Sequence, residues 1–181
     1  MKIHIETERL ILRDLEMTDA EGMFQLDSDP EVHEFLGKKP IKTLEEAVEV
    51  IERVRKQYER NGIGRWAIID RETGDFIGWA GLKYEEVLRK EFSYYDLGYR
   101  LRKDYWGKGI ATESAMASLN YGFEKLHLSE IGAAAAVNHL VSNKILKKIG
   151  LNFIETFVYD EIPHNWYAIK KTEWLNKQMN G

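Results

Sequence analysis

Apolar residues along this chain recur with two periods, and the switch between them marks the elements. From Arg9 to Leu15 they alternate, with Leu10 and Leu12 on one side and Ile11 and Arg13 on the other, which predicts a strand. Thr18, with Glu21 three residues later, is a capping-box pair ahead of a helix carrying Ala20, Met23 and Phe24. Asp29-Pro30 predicts the start of a second short helix ending near Gly37, with a loop over Lys38-Lys39-Pro40. Thr43 and Glu46 cap a long helix whose apolar stripe is Leu44, Ala47, Val48, Ile51, Val54 and Tyr58, closed by Asn61-Gly62.

Three strands follow: Trp66–Asp70, Phe76–Tyr84 and Phe92–Leu101. The first two are joined by the turn Arg71–Gly74. The period then returns to that of a helix, with Ala111, Ala115, Leu119, Gly122, Phe123 and Leu126 on one face. A small-residue strand at Ile131–Val137 leads to a helix that begins at Ser142, carries Ile145, Leu146 and Ile149, and ends on Gly150. Phe153–Val158 and Trp166–Ile169 predict a closing hairpin.

The order β-α-α-α-β-β-β-α-β-α-β-β is that of an α+β fold. It implies a mixed sheet of about seven strands, antiparallel in its first half, with one parallel step across the long helix. Residues 1–181 fit one domain with an adequate core. A net charge of −4 argues against non-specific nucleic-acid binding as the chain's business. The absence of cysteine excludes a disulfide framework and a thiol nucleophile. The polar start, with Lys2, His4, Glu6 and Glu8, gives no sign of a signal peptide, and no stretch is apolar enough to span a membrane, so a cytoplasmic location is expected. Five histidines without paired spacing give no case for a metal.

The chemistry concentrates between Tyr95 and Lys125. A strand ending at Leu101 runs into a basic, glycine-punctuated turn (Arg102, Lys103, Trp106, Gly107, Lys108, Gly109) that opens the long helix. Such a turn suits a phosphate, because the first N–H groups of a helix lack intrahelical partners and glycine lets an anion approach them. The spacing is not that of a Walker A loop, and Thr112 stands where the dinucleotide fingerprint needs its third glycine.

The sequence Tyr-Trp-Gly-Lys-Gly-Ile-Ala-Thr-Glu-Ser after Leu-Gly-Tyr-Arg-Leu, with Asn138, Ser142 and Lys148-Ile-Gly-Leu downstream, resembles the GNAT acetyltransferase superfamily. Within it, the chain is similar to the ribosomal-protein N-terminal acetyltransferases of RimJ/RimL type, as is the opening ETERLILRDLEMTDAEGMF. The resemblance implies a three-layer GNAT fold whose parallel strands splay apart around acetyl-CoA. It also implies direct acetyl transfer to a primary amine in a ternary complex, with a protein N-terminal α-amine, such as that of a ribosomal protein, as the favoured acceptor. A polyamine, amino acid or aminoglycoside acceptor stays open, as does a sensor that binds acyl-CoA without turnover. No direct nucleic-acid or membrane partner is implied, and the chain is expected to be a monomer or a homodimer.

For the cofactor, the resemblance implies backbone contacts from Leu97, Gly98 and Tyr99 toward the acetyl group. Leu101, Arg102, Lys103, Trp106, Gly107, Lys108, Gly109, Ile110, Ala111 and Thr112 are implied along the pyrophosphate, and Asn138 and Ser142 at the pantetheine arm. Asp104 departs from the superfamily's usual residue and is not assigned to phosphate. One additional residue separates Asn138 from Ser142, so Asn138 and His139 compete for one position, and Leu151 stands where the family has Phe. Ser142 is either the acid that protonates the departing thiolate or a helix N-cap. The base is open: Asp96 is the first candidate, with Glu85, Glu86, Asp160 and Glu161 as further carboxylates and His33 and His164 able to titrate. Phe35, Trp79, Tyr84, Tyr94 and Trp166 are the candidate acceptor-pocket residues, with core packing as the alternative for most. Ala133–Ala136 fit either a close approach of the cofactor or a strand beneath a bulky helix.

Overall fold

A computed structural model of the chain describes residues 1–37 and 39–181; the loop expected at Lys38 lies outside the described residues. The strands are β1 (Ile3–Glu6), β2 (Leu10–Asp14), β3 (Trp66–Asp70), β4 (Phe76–Glu85), β5 (Tyr94–Leu101), β6 (Glu130–Ala136), β7 (Asn152–Tyr159) and β8 (Ile162–Lys170). The α-helices are α1 (Ala20–Asp27), α2 (Leu44–Asn61), α3 (Ile110–Glu124), α4 (Leu140–Lys148) and α5 (Lys171–Met179). The strands form one mixed sheet in the order β1-β2-β3-β4-β5-β6-β8-β7, with β5–β6 its parallel pair. This is the expected α+β GNAT architecture.

Alternation along the central strands sorts side chains into two cores, one on each face. In β3, Trp66 and Ile68 join Leu10, Leu12, Leu119 and Phe123 on the α3–α4–α5 side. Ala67 and Ile69 join Met23, Leu26, Ala47 and Ile51 on the α1–α2 side. Covering both faces with helices makes the middle strands continuously apolar, as their sequences are. Burying a side chain such as Met23, Leu26 or Ile51 stabilises by about 1.5–3 kcal/mol each. The stripe expected on α2 is thus a core face where Ala47 and Ile51 are buried.

Local signals set several boundaries as read. Thr43 and Glu46 form a reciprocal capping box, and Gly62 closes α2 at φ +70°. Gly74 turns the β3–β4 hairpin at φ +77°. Others are corrected. Thr18 caps nothing: it lies inside a short 3-10 helix, Met17–Asp19, and the Asp19 carboxylate takes the Glu16 N–H at 2.8 Å while pairing with Arg13. Residues after Pro30 form turns, not a helix. Among the described residues the sheet has eight strands where about seven were expected, because β1 pairs with β2 although its four residues alternate too briefly to be read. Helix α5 was also missed; Trp174 anchors it in the core.

Candidate active site

Between β5 and β6 the sheet opens. The two strands share a single register pair, Asp96 with Gly132. Each is otherwise held from its far side: β5 by β4 from Tyr94 to Leu101, and β6 by β8 from Glu130 to Ala136. Past Asp96 they diverge, and a cavity of about 840 Å³ fills the gap, lined by Leu97–Leu101, Ala134–Ala136, the glycine turn and the start of α4.

The glycine turn supplies donors. Gly107 and Gly109 take φ +72° and +76°, the left-handed region that glycine tolerates best. Helix α3 has no side-chain cap at its N-terminus. Its first N–H bonded within the helix is that of Glu113, to the Gly109 carbonyl at 3.0 Å, which leaves the amides of Ile110, Ala111 and Thr112 at the cavity wall without a helical partner. A side chain at Gly107 would meet nothing within 4 Å, so the approach is open. The turn is braced from behind: Arg9 donates to the Glu113 carboxylate at 2.7 Å and to the Lys108 carbonyl at 2.9 Å, and Thr7 donates to Glu113 at 2.6 Å. An amide cradle of this kind, electropositive by its helix dipole, fits the pyrophosphate of a coenzyme A thioester.

The opposite wall is the start of α4. His139 is its N-cap, its Nδ1 accepting the Ser142 N–H at 3.3 Å, and its ring stacks on Phe35 at 4.3 Å between centroids. Burial holds the His139 imidazole below its ordinary pKa. Tyr99, on β5, reaches across the gap to place its hydroxyl 3.0 Å from the Ser142 Oγ. Burial pushes its phenol up to about 12. Asn143 ties the helix down, donating to the carbonyls of Ala136 at 2.9 Å and His139 at 2.8 Å and accepting from Tyr167 at 2.7 Å.

On the α1–α2 face the cavity meets two ion pairs, one buried and one half-buried. Arg65 is bound to the Asp96 carboxylate and donates to the carbonyls of Gly81 and Asp96. The other Asp96 oxygen accepts from Tyr94 at 3.0 Å. Arg100 pairs with Asp27 at 2.7 Å. Trp79 lies beneath both guanidiniums, 5.3 Å from Arg65 and 5.0 Å from Arg100. His33 sits 3.5 Å from Asp27, its ring nitrogens without hydrogen-bond partners, and burial followed by Arg100 lowers its pKa.

An acetyltransferase (GNAT) domain matches residues 9–152. The chain belongs to the GNAT acetyltransferase family. It is an N-acetyltransferase, and its acyl donor is acetyl-CoA. It is 35% identical over 147 residues to the uncharacterized N-acetyltransferase YoaA of Bacillus subtilis strain 168, a match covering 81% of each chain. Solved GNAT structures share its fold. The ribosomal L7/L12 alpha-N-protein acetyltransferase RimL, in complex with coenzyme A, superposes with a TM-score of 0.77 at 15% identity, over 93% of this chain and 98% of that one. Spermidine N-acetyltransferase from Vibrio cholerae gives 0.76 at 20% identity, over 94% and 100%.

In this GNAT enzyme the site residues expected from sequence divide clearly. Leu97, Gly98, Tyr99, Leu101, Trp106, Gly107, Gly109, Ile110, Ala111, Thr112, Asn138 and Ser142 all line the cavity, as do Phe35, Trp79 and Asp96. The side chains of Arg102, Lys103 and Lys108 do not. Arg102 donates to the Phe76 carbonyl at 3.0 Å, Lys103 pairs with Glu31, and Lys108 lies over the Tyr105 ring. Tyr84, Tyr94 and Trp166 are not pocket residues either. Tyr84 packs on Tyr95 at the surface, and Trp166 packs edge-to-face on Tyr94 at 4.4 Å, filling the space that Gly132 leaves by lacking a side chain.

Two roles change as well. The space that Gly98 leaves is filled by the Arg65 guanidinium, so this glycine serves a side chain of the protein. Asp96 is not a free base: both oxygens are engaged, and protonating it would leave Arg65 buried without its counter-charge. Glu85, Glu86, Asp160 and Glu161 do not line the cavity, nor does His33. Sequence reasoning missed Arg9, Arg65 and Arg100 because single arginines, two just ahead of strands and one within a strand, carry no spacing signal. His139, which competed with Asn138 for one position, turns out to be the cap.

Proposed function

We propose that this acetyltransferase acts on a protein N-terminal α-amine, the acceptor of RimL type. The observation that supports it is the charge balance of the acceptor side of the cavity. Both buried carboxylates there, Asp96 and Asp27, are already committed to Arg65 and Arg100. A polyamine needs further anions for its second and third ammonium groups, whereas a peptide presents one amine followed by a neutral backbone. Phe35, Leu36 and Trp79 offer apolar and aromatic surface to such a chain. The observation favouring a polyamine is narrower: Glu34, exposed at the cavity wall, is a carboxylate without an ion-pair partner among the described residues.

In this reading the amides of Ile110, Ala111 and Thr112 hold the pyrophosphate, and the parted edges of β5 and β6 receive the pantetheine arm. Bound acetyl-CoA supplies an acetyl thioester. The chain positions the amine against it, replacing a bimolecular encounter by a held one. Backbone donors near Leu97–Tyr99 stabilise the charge that develops on the acetyl oxygen. His164 lines the cavity and donates from Nδ1 to the Ile162 carbonyl at 2.8 Å, which leaves Nε2 as the free lone pair. It takes the proton from the attacking amine in place of Asp96. No covalent enzyme intermediate is needed.

The test is thiol release from acetyl-CoA with a panel of N-terminal tripeptide amides, spermidine and free amino acids. Release with the peptides, and little with spermidine, is expected. Preference for spermidine, abolished by Glu34→Gln, would replace this reading by the polyamine one.

A further inference from the structure

Two arginines reach the cavity over one tryptophan, and they differ in how much of their hydrogen-bonding capacity is spent. Alternation along β5 puts Asp96, Gly98 and Arg100 on the α1–α2 face. Trp79, the register partner of Arg100 on β4, has the Arg65 guanidinium 5.3 Å and the Arg100 guanidinium 5.0 Å from its ring centroid. Arg65 is closed. Its Nη2 is bound to Asp96, its Nη1 donates to two carbonyls, and its side chain is 9% exposed. Arg100 is open. Only its Nη1 has a partner among the described residues, the Asp27 carboxylate at 2.7 Å, and its side chain is 22% exposed at the cavity wall. Its Nε and Nη2 form the second planar edge of the guanidinium. They are not among the buried polar atoms left without a partner, so that edge faces open space.

The charge behind the open edge is already balanced. Asp27 is buried, so Arg100 cannot leave it without stranding a carboxylate. His33, also beside Asp27, is kept neutral by burial and then by Arg100. Glu31, at the cavity wall, is held by Lys103. What Arg100 still offers is a fixed pair of N–H donors, and a neutral carbonyl oxygen fits them without adding a second anion to one cation.

We propose that Arg100 is an acceptor-binding residue whose open edge donates to a main-chain carbonyl of the peptide acceptor, downstream of the reacting amine. This rests on the reading that the acceptor is a peptide N-terminus. The Asp27 ion pair and the Trp79 ring hold the guanidinium in place beforehand, so little side-chain freedom is lost on binding. A polyamine has no carbonyl, and its ammonium groups meet the guanidinium as like charges. Arg100 therefore selects against polyamines as well as holding peptides.

The test is a length series of acceptors: alanine amide, dialanine amide and trialanine amide, with trialanine free acid beside them. Thiol release from acetyl-CoA is followed with the wild-type protein and with Arg100→Lys. Lysine keeps a cation for Asp27 but has no second planar edge. In the wild type, kcat/KM rises about tenfold to a hundredfold at the step that adds the bound carbonyl, the scale of one hydrogen bond to a charged group. Arg100→Lys loses that rise, while its acetyl-CoA affinity by calorimetry stays within about threefold of the wild type. An alkene isostere of the peptide bond at that step causes the same loss in the wild type and no further loss in Arg100→Lys, because the same contact is already gone. Asp27→Asn combined with Arg100→Gln, which strands no charge, repeats the result and takes the place of Arg100→Lys if that variant does not fold. A wild type indifferent to length, a rise that survives both variants, or a rise confined to the free acid overturns the inference. Thiol release with spermidine and with none of the peptides overturns the peptide reading beneath it, an outcome distinct from peptides that react regardless of the substitution at Arg100.

Discussion

Asp96 and Arg65 are joined in an ion pair buried at the point where β5 and β6 part, with Tyr94 on the second carboxylate oxygen and the guanidinium filling the space over Gly98. The pair therefore stands where the gap between the two strands begins. Removing one partner of a buried pair leaves the other charge uncompensated, at a cost of about 3–5 kcal/mol. Asp96→Asn is expected to lose stability on that scale in urea unfolding, and Arg65→Met combined with Asp96→Asn to recover part of it. A stable Asp96→Asn protein with no turnover would restore Asp96 as the base.

Gly107 and Gly109 are held at positive φ beside free amides. Gly107→Glu has room for its side chain but places a carboxylate at the helix N-terminus where the pyrophosphate is proposed to lie. Acetyl-CoA affinity should fall by more than about a hundredfold, while stability falls by only about 1–2 kcal/mol from the backbone strain. Gly107→Asn, which tolerates the left-handed region, is the control and should keep most of the affinity. Unchanged binding by Gly107→Glu would put the phosphate site elsewhere.

His139, not Ser142, caps α4. Ser142→Ala should therefore leave thermal stability nearly unchanged, whereas His139→Ala should cost about 1 kcal/mol. Burial lowers the pKa of both His139 and His33. The unfolded chain protonates its histidines near pH 6.5, so it takes up protons before the folded chain does. The stability these groups contribute is present above that pH and is lost as pH falls toward their lowered folded values. Unfolding midpoints should fall between pH 7.5 and 5, and His139→Asn, a cap that does not titrate, should flatten part of that slope. An unaltered slope would leave His33 as the sole source.

Phe35 stacks on His139 and Trp79 lies under Arg65 and Arg100, both at the cavity. Phe35→Ala and Trp79→Ala should raise the KM for the peptide acceptor by about tenfold or more, the value of a lost aromatic contact, with acetyl-CoA affinity changed less than threefold. An equal loss of acetyl-CoA affinity would move these residues to the cofactor side.

The local physics of this chain is written in its sequence. Alternation in β3, the apolar stripe of α2, the capping pair Thr43–Glu46 and the glycines at 62, 74, 107 and 109 each report an energy decided within a few residues, and each is found in the structure. The glycine turn was legible for the same reason, since a strand, two positive-φ glycines and a helix start are all local. Partners were not. Arg65 and Asp96 are 31 residues apart, Tyr99 and Ser142 are 43 apart, and no spacing pairs them. Asp96 looked available to act as a base until the sheet placed a guanidinium on it. Tyr94 and Trp166 looked like an acceptor pocket until β8 laid Trp166 over Gly132. Sequence determined which segments fold and where an anion can be held. Only the tertiary structure decided which polar side chains are already satisfied by one another, and so which of those at the cavity remain free for chemistry.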